Sequence, residues 1–353
     1  MKPATIRDVA DRADVSVASV SRVLNGSGPV TGATRQRVLD AVEALQYVPH
    51  SGARSLSTSK TNTVGVILPD LYGEFFSELI RGMDVAARAL GYHLIVSSSH
   101  DDADEAASAI RSMRGRVDGL IVLSPHLRSA NLAAGLAERM PVLLMNGGAV
   151  DAARPSIVVD NHGGAVAAVE HLIALGRRRI AHIAGPTGNL EAEARLAGYL
   201  EAMAAAGLPT MVVDGAFTRD SGEAAAAELA AREDRPDAVF AANDNMAVGA
   251  LLAFQDAGLR VPEDIAMVGF DDIPLAGLVR PALTTLKIQI AETGRKALER
   301  LVGLIGSSTD ITCEVVRPEL VVRASSQPIP TGFGVAGTGQ NIVQTPSLEG
   351  EKL

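Results

Sequence analysis

Residues 5–25 read Thr-Ile-Arg-Asp-Val-Ala-Asp-Arg-Ala-Asp-Val-Ser-Val-Ala-Ser-Val-Ser-Arg-Val-Leu-Asn, and this stretch decides how the first part of the chain folds. Thr5 with Asp8 three residues on resembles a capping box, in which Asp replaces the usual Glu. Ser16 is a good N-cap for a second helix, and Asn25 with the following glycine ends it. Apolar residues recur at helical spacing at Ile6, Val9, Ala10 and Ala13 in the first helix and at Val20, Val23 and Leu24 in the second.

A third helix is predicted from about Thr31 to Leu45, and the three helices together indicate a helix-turn-helix. Its inward-facing residues are expected to be Val38, Leu39, Val42 and Leu45. The residues off the apolar face of the second helix are small or hydrogen-bonding, namely Ser16, Val17, Ala18, Ser21, Arg22 and Asn25. Small residues let a helix enter a major groove, and Arg22 can donate two hydrogen bonds to a guanine edge. Taken alone, the pattern also fits a three-helix protein-binding module with a solvated Arg22.

The charge is distributed unevenly along the chain. Residues 1–60 hold eight Lys and Arg against five acidic residues, a net charge of +3, whereas the whole chain carries −9. The remainder therefore carries −12. A basic head on an acidic body indicates that only the head meets a polyanion.

Length and composition exclude several classes of protein. A chain of 353 residues is too long for one core, so two or three domains are expected. The only cysteine, Cys313, cannot form an internal disulfide or a cysteine-based zinc site, which fits a reducing cytoplasm. The N-terminus lacks the apolar segment of a signal peptide, and no apolar run approaches the roughly 20 residues of a membrane span. We therefore expect a soluble cytoplasmic protein with no membrane partner.

From residue 61 to about 323, apolar runs of strand length alternate with helical stretches. This alternation predicts a parallel, doubly wound α/β architecture with enough units for two sheets. Ligands bind such sheets at the carboxyl ends of the strands. Polar and aromatic candidates for that edge are Phe75, Phe76, Asn146, Asp160, Arg195, Phe217, Asn243 and Asp271. Asp244 is expected to be the N-cap of the next helix, and Asp272 a solvated turn residue.

Two segments of the head, Thr5-Ile-Arg-Asp-Val-Ala and Val15-Ser-Val-Ala-Ser-Val-Ser-Arg-Val-Leu-Asn25, closely resemble the DNA-binding head of the lactose/galactose repressor (LacI/GalR) family. Tyr47-Val-Pro49 and Ala53-Arg-Ser-Leu56 extend the resemblance, which continues to about Arg323. It implies that Val17, Ala18 and Arg22 read bases. It further implies that Thr5, Ser16, Ser21 and Asn25 contact phosphates or base edges.

The resemblance also implies the domain organisation. The expected parts are a helix-turn-helix head (1–48), a hinge helix or linker (49–60), a two-lobed effector-binding and dimerisation domain (61–326), and a disordered tail (327–353). The first lobe would span about 61–161 and 290–323, and the second about 162–289, as in periplasmic sugar-binding proteins. In the family the hinge folds on DNA, with Ala53 among its contacts and Leu56 as an apolar wedge in the minor groove. Gly52 makes this hinge harder to fold.

The family's effector contacts correspond to Arg195, Asn243 and Asp271, with Phe217 as an aromatic packing position. Phe76 and Asp160 correspond to contacts from the first lobe and the crossover. Two departures make the site less polar. Asn146-Gly-Gly148 lacks a charged contact that many members have, and Ile288 stands where some members have a polar contact. A sugar or sugar derivative is the expected effector, and the alternative is a nucleoside or nucleobase acting as co-repressor.

The sequence thus predicts a ligand-responsive transcription factor, most simply a repressor, that binds a pseudo-palindromic double-stranded DNA operator as a homodimer. The tail lacks the Leu heptads that join dimers into tetramers in some members. Catalysis, cofactors and metals are not expected, because the acids have no His or Cys partner at ligand spacing. The loop Gly185–Gly188 also lacks the Lys-Ser/Thr of a phosphate-binding loop.

Overall fold

The computed structural model of the chain describes residues 4–26, 28–48, 60–100, 102–123, 140–145, 154–307 and 312–327. Several predictions fall outside these ranges: the linker from residue 49 to 59 with Ala53 and Leu56, Asn146, a helix expected near 128–139, and the tail from 328 onward. The described chain divides into two compact units. The first comprises Met1–Val159 and Ile290–Val316, and the second comprises Asp160–Gln289 and Arg317–Leu353.

The head consists of three helices, α1 (Ile6–Ala13), α2 (Val17–Asn25) and α3 (Gly32–Ala44). Each begins at the hydroxyl N-cap that the sequence offers, respectively Thr5, Ser16 and Thr31. The fully buried core residues of the head are Val9, Ala10, Ala13, Val20, Val23, Val38 and Ala41. The prediction that Leu39 faces inward is wrong, because this side chain is 44% exposed. The buried residues of α3 are Val38 and Ala41.

The first unit contains a six-stranded sheet in the order β11-β5-β4-β3-β1-β2, all of whose neighbouring strands are parallel. Its strands are β1 (Thr63–Leu68), β2 (His93–Ser98), β3 (Gly119–Leu123), β4 (Val142–Met145), β5 (Ser156–Val159) and β11 (Cys313–Val316). Besides the three head helices, its described helices are α4 (Glu74–Leu90), α5 (Ala103–Met113) and α10 (Ile290–Ile305). The central strands are buried along most of their length, as expected for a sheet covered on both faces.

The second unit contains a sheet in the order β12-β10-β9-β8-β6-β7. Its strands are β6 (Ile180–Ile183), β7 (Met211–Val213), β8 (Ala238–Ala241), β9 (Ala266–Asp271), β10 (Thr284–Lys287) and β12 (Glu319–Val321). Its helices are α6 (Asn161–Ala174), α7 (Leu190–Ala205), α8 (Arg219–Ala231) and α9 (Asp244–Asp256), with a 3-10 turn at Pro274–Gly277. The predicted fold class, a helix-turn-helix head followed by two doubly wound lobes, is confirmed.

One predicted boundary is wrong. The final strand near residues 320–323 was expected in the first lobe, but β12 pairs antiparallel with β10 in the second sheet. The chain therefore crosses back into the second unit at Arg317, directly after β11. The reason is non-local: Leu320 lies opposite Leu286, and Thr284 Oγ1 bonds to the backbone of Arg323, so contacts with β10 hold the strand in the second sheet.

Close helix pairs in both units depend on glycine. A Cβ at Gly82 on α4 would lie 1.8 Å from the carbonyl oxygen of Ala291 on α10. A Cβ at Gly222 on α8 would lie 2.1 Å from the carbonyl oxygen of Met246 on α9. Neither distance leaves room for a side chain, so these positions set the spacing of the helices that cover the sheets.

Candidate functional site

The first candidate site is the outward face of α2. Ser16 caps this helix by accepting a hydrogen bond from the backbone N–H of Ser19 at 3.1 Å, while Val20 and Val23 are buried. Val17 is 41% exposed, and Ala18 and Arg22 are also exposed. The helix therefore presents two small apolar residues and one guanidinium outward, which suits contact with base edges in a major groove.

The remaining head residues of the predicted DNA site lie on the same short segments. Thr5 forms the predicted capping box, because its backbone N–H donates to Asp8 Oδ2 at 2.7 Å and its Oγ1 accepts from Asp8 N. Asn25 Nδ2 donates to Ser21 Oγ at 3.2 Å. Hydroxyls at the N-termini of α1 and α2 lie where helix dipoles favour anions such as phosphates.

The second candidate site is built around Arg195, on α7 in the second unit. This side chain is buried, with its Nε donating to Asn161 Oδ1 at 2.8 Å and its Nη1 forming a short hydrogen bond to the carbonyl oxygen of Ala242. Its Nη2 lies 3.5 Å from Asp271 Oδ1. The guanidinium also lies over the ring of Phe270, 3.8 Å from the ring centroid. A buried cation held by this many groups has a fixed orientation.

Asp271 ends β9 with a φ of 113°, a backbone conformation that is strained for a residue with a side chain. Burial raises the pKa of its carboxyl to about 7, against the opposing effect of the neighbouring Arg195. The carboxyl therefore lies close to its titration midpoint at neutral pH. Strain and a perturbed pKa at one residue are typical of a functional position.

Asp244 supports the loop that carries Asp271. It accepts a hydrogen bond from the backbone N–H of Ile273 at 2.9 Å and another from Thr285 Oγ1 at 2.6 Å. Burial, followed by the charge of Asp271, raises its pKa well above the ordinary value for Asp. The prediction that Asp244 is an N-cap is wrong, because the cap of α9 is Asn243 and Asp244 is fully buried one residue later.

Asn243 joins two elements of the site. Its Oδ1 accepts from the backbone N–H of Met246 at 3.0 Å, and its Nδ2 donates to the carbonyl oxygen of Phe217 at 3.0 Å. The ring of Phe217 has its centroid 5.8 Å from the guanidinium carbon of Arg195. The structure thus brings together Arg195, Phe217, Asn243 and Asp271 at the carboxyl edge of the second sheet.

Asp272 departs from its expected role. Instead of a solvated turn residue, it is a largely buried partner of Arg323, whose Nη2 lies 2.6 Å from Asp272 Oδ1. Arg323 also donates to the carbonyl oxygen of Leu283 at 2.8 Å. The loop after β9 is therefore held from two sides, by Asp244 and by the segment that follows β12.

The other described residues of the predicted effector site lie on two different helices, α6 and α4. Asp160 caps α6 by accepting from Gly163 N at 2.9 Å, and it adjoins Asn161, the partner of Arg195. Phe75 and Phe76 lie at the start of α4 in the first unit, in edge-to-face contact at 5.2 Å between centroids. Sequence reasoning missed Asn161, although its position directly after Asp160 at the carboxyl end of β5 was an available signal.

A buried histidine lies on β6 of the second sheet. His182 on β6 stacks between Tyr199 and Phe240, and its Nδ1 lies 2.9 Å from the carbonyl oxygen of Phe240. Burial lowers its pKa to about 4, so the imidazole is neutral at physiological pH. The charge of Arg195 also lowers this pKa, so the neutral imidazole adds no like charge to the surroundings of the guanidinium.

Within the part of the chain that the structure describes, no group of three or more His, Cys, Asp or Glu could hold a metal ion. Among the same residues, no helix is both long and apolar enough to cross a membrane.

Two family models match the chain. The one described as bacterial regulatory proteins, lacI family, matches residues 5–50, and the periplasmic binding protein-like domain matches residues 169–326. The first match corresponds to the helix-turn-helix head, and the second covers most of the second unit, including Arg195, together with residues 290–316 of the first unit.

Whole-chain relatives agree. Catabolite control protein A of Priestia megaterium is 36% identical over 310 residues, covering 86% of this chain and 93% of that protein. The lac repressor dimer bound to operator and the anti-inducer ONPF has a TM-score of 0.84 at 30% identity, covering 92% of this chain and 99% of that one. The transcriptional regulator CelR in its cellobiose complex has a TM-score of 0.68 at 35% identity, covering 92% of this chain and 100% of that one. The chain therefore belongs to the lacI family of bacterial regulatory proteins and is a DNA-binding transcriptional regulator.

Proposed function

We propose that this protein is a homodimeric repressor whose affinity for a pseudo-palindromic operator is controlled by a sugar or sugar derivative. The observation that carries the proposal is the buried Arg195, which Asn161 and the Ala242 carbonyl hold beside Asp271. A cation fixed among carboxylate and amide groups can bind several hydroxyls of one ligand in a set orientation. Each buried hydroxyl needs such a partner, because an unsatisfied one costs about 1–3 kcal/mol.

The DNA half of the proposal rests on α2. Val17, Ala18 and Arg22 would read base edges, while Thr5, Ser16, Ser21 and Asn25 would contact phosphates or neighbouring edges. Two heads in a homodimer would occupy two half-sites related by symmetry. The lac repressor dimer bound to operator supports this arrangement by analogy.

The effector half rests on the second unit. Asn243, Asp271 and Phe217 place an amide, a carboxyl group and a flat apolar ring near Arg195. Polar groups of this kind can bond to the hydroxyls of a sugar, and an aromatic ring can pack against its apolar face. The cellobiose complex of CelR supports a sugar ligand by analogy. The alternative is a nucleoside or nucleobase acting as co-repressor, for which Phe217 would serve as a stacking surface.

Operator binding tests the DNA half. The operator is first selected from random duplex DNA with the full-length protein, and affinities are then measured by fluorescence anisotropy at fixed salt. Arg22→Ala is expected to weaken binding by about 1–3 kcal/mol and to relax the preference at one guanine. Arg35→Ala, an exposed arginine on α3, is the matched control and should leave the base preference unchanged. Unaltered base preference in Arg22→Ala would contradict the assignment.

A thermal-shift screen of sugars, nucleosides and purines tests the effector half. A ligand that stabilises the wild type is expected to stabilise Arg195→Lys much less, and to stabilise Arg219→Ala, an exposed control on α8, as well as the wild type. A sugar that weakens operator binding supports induction, whereas a nucleobase that tightens it supports the alternative. Equal stabilisation of the wild type and Arg195→Lys would place the site elsewhere.

A further inference from the structure

Asp118 lies directly before β3, at the amino edge of the first sheet and outside both candidate sites. Its Oδ1 accepts hydrogen bonds from the backbone N–H of Thr61 at 2.7 Å and from Thr61 Oγ1 at 2.8 Å. Its Oδ2 accepts a hydrogen bond from the backbone N–H of Asn62 at 2.8 Å. One carboxylate therefore holds two consecutive residues that lie 57 and 56 positions earlier in the sequence.

The residues that Asp118 holds connect the linker to the first sheet. The linker ends at residue 59, and β1 begins at Thr63. Asn62 has a φ of 49°, in the left-handed region, and its carbonyl oxygen accepts from the backbone N–H of His93 at 2.9 Å. The backbone N–H of Asp118 donates to the carbonyl oxygen of Thr63 at 2.8 Å. Hydrogen bonds to the first residue of β2 and to the residue before β3 thus fix the direction in which the chain enters the sheet.

The second unit contains the same arrangement at the equivalent position. Asp237 lies directly before β8, as Asp118 lies directly before β3. The carboxylate of Asp237 accepts from the backbone N–H groups of Arg178 and Arg179 at 3.2 and 3.1 Å. Its own backbone N–H donates to the carbonyl oxygen of Arg179 at 2.9 Å. Both sheets therefore use a carboxylate to hold the chain just before a neighbouring strand, so the contribution to stability should be similar in the two units.

The two carboxylates hold different kinds of segment. Arg178 and Arg179 lie between α6 and β6, so a helix and a strand of the same unit confine them on both sides. Thr61 and Asn62 instead follow the linker that joins the head. Losing the bonds of Asp118 would add these residues to the linker and free its direction. The length and direction of a linker determine where a tethered domain can reach.

We propose that Asp118 is a positioning residue for operator recognition, which fixes the point and the direction at which the linker leaves the first sheet. In a homodimer, two linkers anchored in this way present the two heads at one separation, which matches the spacing of the half-sites. The inference deepens the proposed function and rests on its homodimer. A carboxylate suits this role, because hydrogen bonds to a charged acceptor are stronger than those between neutral groups.

The experiment compares Asp118→Ala with Asp237→Ala in the full-length protein, because each substitution removes the same kind of anchor. The operator selected by the wild type is altered by adding or removing one or two base pairs between its half-sites. A duplex with a single half-site is included, and affinities are measured by fluorescence anisotropy at fixed salt. Each added base pair rotates one half-site by about 35° relative to the other, so binding reports both distance and direction.

The wild type is expected to bind the selected spacing most tightly. In Asp118→Ala the affinity for that spacing should fall by at least about threefold, and the preference over the altered spacings should narrow by a similar factor. Asp237→Ala should keep the wild-type preference. All three proteins should bind the single half-site equally, because their heads are the same. Asp118→Asn keeps an acceptor for Thr61 but loses the bond to Asn62, so it should show a smaller change in the same direction, and it replaces Asp118→Ala if that variant does not fold.

Hydrogen exchange measured by mass spectrometry checks that each anchor is broken. Exchange should be faster in peptides that contain Thr61 and Asn62 for Asp118→Ala, and in peptides that contain Arg178 and Arg179 for Asp237→Ala. Unchanged exchange at Thr61 and Asn62, or a wild-type spacing preference in the Asp118 variants, overturns the inference. An equal loss of preference in Asp237→Ala also overturns it, since any loss of stability would then have the same effect. A wild type that binds two half-sites no more tightly than one contradicts the homodimer of the proposed function, and this inference with it.

Discussion

The two sheets that follow the head share one strand order but differ in the side chains that they bury. In each, five strands lie in the doubly wound order and a sixth strand is added beside the last of them. Among the described residues of the first unit, the buried polar side chains are Ser99, Ser156 and Thr293, none of which is charged. The second unit buries Arg195, Asp244 and Asp271. The same topology therefore holds an apolar core in one unit and a charged network in the other.

This difference supports the proposed location of the effector site. Burying a charge is unfavourable unless it is paired and hydrogen-bonded. A gain in folding stability alone therefore does not explain why the second unit buries these three charged groups. The network also coincides with the strained φ of 113° at Asp271. Both features are at the carboxyl ends of strands, the edge at which open α/β sheets bind ligands. The first sheet can be understood through packing, whereas the second needs a functional explanation.

The largest expected difference between the units is the effect of removing a well-connected arginine from each. Arg195→Met leaves Asp271 without its cation and Asn161 Oδ1 without its donor. We expect a loss of about 3–5 kcal/mol in the free energy of unfolding, as for a broken buried ion pair. Arg300→Met in the first unit removes hydrogen bonds from Arg300 to the carbonyl oxygens of Ser156 and Thr312 and a partly buried ion pair with Glu314, and should cost about 1–2 kcal/mol. Urea unfolding followed by circular dichroism measures both.

Equal losses in the two arginine variants would contradict the comparison, since the buried charged network would then contribute no more than hydrogen bonds and one partly buried ion pair. Arg195→Lys separates charge from geometry. It keeps the cation but lacks the planar fork that reaches Asn161 and Ala242 together, so its stability should fall between those of the wild type and Arg195→Met.

The second prediction concerns pH. The folded-state pKa of Asp271 is about 7, against an ordinary value of 3.8, so between these values the folded protein holds a proton that the unfolded chain has released. This contribution to stability is complete below the lower value and is lost as the pH rises through the higher one. Asp271→Asn should therefore be less sensitive than the wild type to a change from about pH 5 to about pH 8. Arg195, Glu191 and Asp244 face this carboxyl, and Asp244 has a raised pKa of the same sign, so the remaining slope should be shallower but not flat.

Unfolding free energies across that pH range check this prediction, with the exposed Asp220→Asn as the control. The control should follow the wild type throughout. A slope in Asp271→Asn as steep as that of the wild type would mean that Asp271 does not carry the proton. No comparable pH dependence is expected from the described part of the first unit, which buries no charged side chain.

Much of the fold followed from local signals in the sequence. Capping by Thr5 and Ser16 and the spacing of apolar residues defined the helices of the head, and apolar runs located the strands. The arrival of Arg195 and Asp271 at one edge followed from the general rule that ligand residues lie at the carboxyl ends of parallel strands. The helix boundaries depend on residues within one turn of helix, and the position of the site residues depends on the strand order of the whole sheet.

The errors share a different cause. Asn243 and Asp244 are both good N-cap residues, and only the tertiary position of α9 decides which of them caps and which is buried. Asp272 was expected in solvent because its partner, Arg323, lies 51 residues further along the chain. β12 was assigned to the wrong sheet, because a strand of only three residues gives no sequence signal for the strand with which it pairs. Avoiding each of these errors would have required knowledge of a contact between residues that are distant in sequence.

The smallest expected effects concern how each sixth strand is attached. β12 runs antiparallel to β10, and the segment after it is fixed by the ion pair of Arg323 with Asp272, whose side chains are 23% and 12% exposed. β11 runs parallel to β5, with Lys296 pairing to Glu314 at 43% and 33% exposure. Because partly buried pairs depend less on solvent screening, Arg323→Met should cost about 1–3 kcal/mol, and Lys296→Met less than about 1 kcal/mol.

Salt distinguishes these two attachments. An exposed pair is screened by added salt, so the small loss in Lys296→Met should disappear at high ionic strength, while most of the loss in Arg323→Met should persist. Arg323→Met should also weaken the binding of any effector found in the screen, because the loop bearing Asp271 loses one of its two anchors. If Arg323→Met lowers stability but leaves effector affinity unchanged, the ion pair only fastens a strand, and Asp244 alone positions the loop. If affinity falls in Arg323→Met and not in Lys296→Met, the late crossing of the chain into the second unit is part of the ligand site.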